Sequence, residues 1–120
     1  MTVVLVVEDE SFLRAMAVEL AEEAGFAVVE AANADEAIAI LERRNDIRIV
    51  FTDIDMPNGS MDGLKLAAAV RDRWPPVHIM VVSGHYAASQ EELPAGSLFF
   101  PKPYQRDAVV AAMRDFARPV

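Results

Sequence analysis

The sequence predicts a doubly wound α/β fold, a parallel sheet with helices on both faces. Three observations predict it. Five short apolar runs, rich in Val, Ile and Phe, alternate with longer stretches. The runs mostly do not alternate with polar residues, which is how strands buried on both faces read. The stretches between them carry apolar residues three and four apart, the spacing of a helix with one buried face. The expected order is β-α repeated five times, with right-handed crossovers.

The first run is Val3–Val7, and Ala27–Ala31 is a weaker second. Residues 47–52, 77–82 and 97–100 are the third, fourth and fifth. Between the first two, Leu13, Met16, Ala17, Leu20 and Ala24 form one stripe, and Gly25 ends that helix. Asn33 with Glu36 three residues on reads as a capping box before Ala37, Ile38 and Leu41. Asp62 is placed to cap a third helix carrying Leu64, Ala67, Ala68 and Val70, stopped by Pro75-Pro76. Residues 86–94 hold few large apolar side chains and end in Pro94, so any helix there is expected to be short. Val109, Val110, Met113 and Phe116 mark the last helix.

Composition sets the bounds. The 120 residues suffice for one domain, 1–120, and 53% hydrophobic content is too much for a disordered chain. The formal net charge of −8 argues against nucleic acid and against an anionic membrane surface, because both need a basic face. With no cysteine, disulfides, thiolate metal sites and a cysteine nucleophile are excluded. The apolar run near Met1 is too short to span a membrane and has no basic flank or cleavage site. A soluble cytoplasmic protein is expected.

In open sheets of this kind, ligands bind beyond the carboxyl ends of the strands. The first run ends in Glu8-Asp9-Glu10 and the third in Asp53-Ile54-Asp55. The fourth ends in Ser83-Gly84, and Pro101-Lys102-Pro103 follows the fifth. Singly, each has a bland reading: a polar loop, a helix cap, a turn, a solvated lysine. Jointly, on one rim, they place at least three carboxylates together with only Lys102 to compensate. Such a cluster calls for a divalent cation, and oxygen-only ligands favour Mg2+. Lys102, one of only two lysines, is placed for an anion.

These residues resemble the receiver domain of bacterial two-component response regulators. The resemblance spans essentially the whole chain. It rests on residues 5–10, on Phe51-Thr52-Asp53-Ile54-Asp55-Met56-Pro57, on Met61-Asp62-Gly63-Leu64, on Val82-Ser83-Gly84 and on Phe100-Pro101-Lys102-Pro103. Their spacing fits as well: 44 residues from Asp9 to Asp53, 30 more to Ser83 and 19 more to Lys102.

The resemblance implies a flavodoxin-like (βα)5 sheet of order 2-1-3-4-5. It implies that Asp53 is the phosphoacceptor for a sensor histidine kinase or phosphotransfer protein. Glu8 and Asp9 would be the acid pair for Mg2+, Glu8 through water, with the main-chain carbonyl of Asp55 as a further ligand. Ser83 would move to the phosphoryl group, Lys102 would pair with one of its oxygens, and Phe99 would be the aromatic switch. The Lys102–Pro103 bond is where the family has a cis peptide. Independent chemistry agrees: a carboxylate is a competent phosphoryl nucleophile, and Mg2+, Lys102 and Ser83 would supply electrostatic positioning.

The chain departs from the family in four places. Ser83 stands for the usual Thr, and the aromatic is Phe99, which has no phenol. Asn58-Gly59-Ser60 lengthens the loop after Asp53 by about two residues. The span from Ser83 to Lys102 is short, implying a shortened fourth helix and an altered output surface. Asp55 and His85, two residues beyond Asp53 and Ser83, are either idle in solvent or tune how fast water reaches the phosphate. His78, within an apolar run and without a second His or Cys, reads as a packed polar residue. After Lys102 only one helix remains, so no effector domain is expected and output would go to an unknown downstream protein or to phosphotransfer. The alternative is a small Mg2+-dependent phosphatase of haloacid-dehalogenase type, since Asp53-Ile54-Asp55 resembles its nucleophile motif. Against it, that motif belongs on a first strand with no acidic pair before it.

Overall fold

The computed structural model describes residues 2–56, 61–84 and 93–118. The elements run β1 (Val3–Val7), α1 (Ser11–Glu23), β2 (Ala27–Ala31), α2 (Ala34–Arg43), β3 (Ile47–Asp53), α3 (Gly63–Arg73), β4 (His78–Ser83), β5 (Leu98–Pro101) and α4 (Arg106–Ala117). All strand pairs are parallel, and the sheet order is β2-β1-β3-β4-β5. The flavodoxin-like order is therefore present. Residues 86–92 of the expected short fourth helix, His85 and the Asn58-Gly59-Ser60 loop lie outside the described residues.

The sheet carries a core on each face. Leu5, Val50, Ile79 and Val81 pack toward α2 and α3, against Leu41, Leu66 and Val70. Val4, Val6, Ile49, Phe51, Met80 and Val82 pack toward α1 and α4, against Leu20, Val109 and Met113. Successive side chains on a strand point to opposite faces, so one continuous apolar run feeds both cores. Burying each large side chain contributes about 1.5–3 kcal/mol.

Local signals set the helix ends. Asn33 Oδ1 accepts from the Glu36 amide at 2.8 Å, and Glu36 reaches back to the Ala32 amide at 3.0 Å, one residue before the cap. Asp62 Oδ1 accepts from the Lys65 amide at 3.0 Å, which starts α3. Gly25, just past the end of α1, has φ +102°, a backbone conformation that favours glycine. Glu10 caps α1 through the Phe12 and Leu13 amides.

One expectation fails on α1. Ala17, Leu20 and Ala21 are buried, but Leu13 is 38% and Met16 51% exposed. The first half of the predicted stripe does not reach the core. It lines a cavity of about 450 Å3 shared with Tyr104 and Arg106, where the chain passes from β5 into α4.

His78 opens β4 and stacks on Phe116 of α4, with ring centroids 4.3 Å apart. Burial, and secondarily the Arg71 charge, lowers its pKa from 6.5. The unfolded chain thus takes up this proton at higher pH than the folded protein. The His78 contribution to stability is complete above about pH 6.5 and is lost as the pH falls below that value. In urea melts at about pH 7.5 and 5.5, wild type should lose more stability than His78→Phe, which keeps the stack and cannot titrate. Parallel losses in the two proteins would contradict this.

Candidate functional site

The site forms where three neighbouring strands end. Glu8 follows β1, Asp53 ends β3, and Ser83 ends β4. All three are nearly buried, at 5%, 4% and 2% exposure. The loop after β5 brings Lys102 to them, because its amide donates to the Ser83 carbonyl at 2.8 Å. The Lys102–Pro103 peptide bond is cis.

Carboxylate oxygens of Glu8, Asp9 and Asp53 lie within 4.8 Å of one another. Lys102 Nζ bridges two of them, at 2.9 Å from Glu8 Oε1 and 3.0 Å from Asp53 Oδ2. Burial pushes the Glu8 carboxyl above its usual range, against the opposing pull of Lys102. Burial alone would lower Lys102, but its bonds to Glu8 and Asp53 outweigh that and raise it. The ammonium therefore stays charged. The donor set is all oxygen and surplus in negative charge, which fits a hard divalent cation such as Mg2+.

Asp55 faces the same cluster in two ways. Its amide donates to Asp53 Oδ1 at 3.1 Å. Its carboxylate Oδ2 accepts from the Ser83 hydroxyl at 2.7 Å. Phe99 pairs with Val81 in the β4–β5 register and packs half-buried against the α2–α3 core. The structure thus brings Glu8, Asp9, Asp53 and Lys102 into one cluster. It links Ser83 to that cluster through Asp55, and it sets Phe99 on the neighbouring strand.

Arg14 and Tyr104 carry no sequence signal, and Gly63 carries one only through the family motif. Arg14 reaches from α1 to the Glu8 carbonyl at 2.9 Å and to Glu30 at 3.0 Å, tying the β1 loop to β2. Tyr104 meets Phe51 edge-on at 5.7 Å, and burial raises its hydroxyl pKa. Gly63 lies against the Asp53–Ile54 backbone, with its amide donating to the Ile54 carbonyl at 3.1 Å. Beside the site, Phe12 at 68% exposure joins Leu13 and Met16 in an apolar rim. The adjoining cavity is lined by Glu8, Asp53 and Lys102 as well as by that rim's Leu13 and Met16.

The family model for the response regulator receiver domain matches residues 4–114. The chain is 34% identical over 116 residues to the sensor kinase CckA of Brucella abortus, covering 93% of this chain and 12% of the kinase. It is 29% identical over 119 residues to the chemotaxis protein CheY of Listeria monocytogenes, covering 95% of this chain and 97% of that one. The response regulator TrrA of Thermotoga maritima, solved in complex with Mg(2+)-BeF, matches at 25% identity with a TM-score of 0.84. That match covers 97% of this chain and 99% of the solved one. The chain spans between 12% and 24% of the length of the first curated relatives it matches. Among the described residues, no helix is long and apolar enough to cross a membrane.

Proposed function

The chain belongs to the response regulator receiver domain family, and from that premise we propose that Asp53 accepts a phosphoryl group from a phosphohistidine of a sensor kinase or phosphotransfer protein. The observation that carries this reading is the convergence of Glu8, Asp9 and Asp53 within 4.8 Å, with Lys102 bonded to two of them. An Asp53 oxygen attacks phosphorus in line. The new O–P bond forms as the P–N bond to the histidine breaks, and the imidazole leaves with that electron pair and takes a proton. Asp9, Asp53, the Asp55 carbonyl and (through water) Glu8 would hold Mg2+, which would supply positive charge against the phosphoryl oxygens. Lys102 exchanges a carboxylate partner for a phosphoryl oxygen. Ser83 donates its hydroxyl to another, and Phe99 follows it to alter a surface that a downstream protein reads.

The apolar rim of Phe12, Leu13 and Met16 supports a protein donor. A histidine can reach Asp53 only if its carrier lays a surface beside the site, and these side chains provide one for it. The TrrA complex with Mg(2+)-BeF supports a metal-dependent site by analogy. The phosphatase alternative draws no support from the comparisons, and Asp53 ends β3 rather than a first strand.

Incubation with acetyl phosphate tests this reading against the alternative. The switch predicts one acid-labile phosphoryl group per chain, formed with Mg2+ and lost from the product when EDTA is present from the start. Repeated turnover of small phosphate esters without a stoichiometric adduct would favour the phosphatase instead.

A further inference from the structure

A serine hydroxyl carries one proton and donates it to one acceptor at a time. In this structure the Ser83 hydroxyl donates to the Asp55 carboxylate at 2.7 Å. Asp55 is itself held against the site, since its amide donates to Asp53 Oδ1 at 3.1 Å. Ser83 is almost completely buried at the end of β4, while Asp55 is half-buried, so their bond is only partly screened by solvent. Two anions therefore compete for one proton: the Asp55 carboxylate at rest, and the phosphoryl group once it is on Asp53.

We propose that Asp55 is a positioning residue that latches the Ser83 hydroxyl in the resting state, so that switching requires the phosphoryl group to win Ser83 from Asp55. This rests on the reading of Asp53 as phosphoacceptor and deepens it. The latch is distinct from control of water access to the phosphate. It acts on the resting state and sets how much adduct is needed to move Ser83. A phosphoryl group has about −1.5 to −2 charges against the single charge of Asp55, so the adduct wins at a cost that Asp55 imposes. The charge-assisted bond makes that cost substantial, and partial exposure of Asp55 reduces it.

The test is a double-mutant cycle read by beryllofluoride, which adds to a carboxylate as a phosphoryl mimic. Half-saturating beryllofluoride, at fixed Mg2+, is measured for wild type, Asp55→Ala, Ser83→Ala and the double variant. Removing the negative charge at residue 55 favours an anionic adduct in any background, so the single variant alone decides nothing. The latch predicts that Asp55→Ala lowers the half-saturating concentration about tenfold more with Ser83 present than with Ala at that position. Asp55→Asn, which keeps an acceptor oxygen but loses the charge, should fall between wild type and Asp55→Ala. Equal shifts in both backgrounds, or no shift, would overturn the latch while leaving Asp53 as the acceptor. A wild type that binds no beryllofluoride would instead overturn the reading of Asp53, and the latch with it.

Discussion

Gly63→Ala is expected to destabilise the protein by about 1–3 kcal/mol or more and to weaken Mg2+ binding in the same variant. A Cβ at Gly63 would lie 2.0 Å from the Asp53 carbonyl oxygen and 2.7 Å from the Ile54 Cα. Both are backbone atoms at the end of β3, so no side chain can rotate away to make room. Either α3 withdraws from the sheet, exposing Leu66, Ala67 and Val70, or the Asp53–Ile54 backbone moves. The first outcome loses core burial, and the second displaces the carboxylate around which the site is built. Urea denaturation checks the stability loss, and Mg2+ titration followed by calorimetry checks the site. A variant with wild-type stability and wild-type Mg2+ affinity would contradict the close approach of α3 to β3.

Lys102→Met should separate two properties that are usually lost together. Lys102 is bonded to both Glu8 and Asp53, and its side chain is only 21% exposed. Its removal leaves two nearly buried carboxylates without a cation, which costs about 3 kcal/mol when no metal is present. The same loss makes the cluster a stronger site for Mg2+, because the metal no longer displaces an ammonium. Metal affinity should rise several-fold over wild type, and metal-induced stabilisation should rise with its logarithm, by about 1 kcal/mol. Phosphoryl transfer should fall, because the phosphoryl oxygens lose their fixed point charge. The checks are thermal melts with and without Mg2+ and adduct formation from acetyl phosphate. Mg2+ affinity that drops with the substitution would contradict a competition between Lys102 and the metal.

Much of this arrangement is legible in the sequence because few physical alternatives exist for it. β2 has the bounds expected from its apolar run, Ala27–Ala31, since the flanking Gly25 and Asn33 mark where neighbouring helices stop and start. Glu8, Asp53, Ser83 and Lys102 are readable as a group because parallel strands send all their carboxyl ends to one rim. Three features escape such reading. The Leu13–Met16 half of the α1 stripe has the right period for burial. Whether it is buried depends on how the chain from Lys102 to Arg106 packs over it, and periodicity holds no information about that. The bond from Ser83 to Asp55 escapes for a related reason. The sequence places both residues at the rim, but the choice of partner for one hydroxyl depends on side-chain rotamers and the relative stagger of β3 and β4. Glu10 escapes as well, since glutamate is not a favoured N-cap and only the Phe12 and Leu13 amides identify it as one.

If the cluster at the strand ends places one phosphoryl group on Asp53, that adduct depends on the Asp53 carboxylate. Intact-mass measurement after incubation with Mg2+ and phosphoramidate, run side by side on wild type and Asp53→Asn, tests it most directly. A single phosphoryl adduct is expected on wild type and none on Asp53→Asn, with both proteins folded by circular dichroism. An adduct of equal yield on Asp53→Asn, or no adduct on folded wild type, would contradict it.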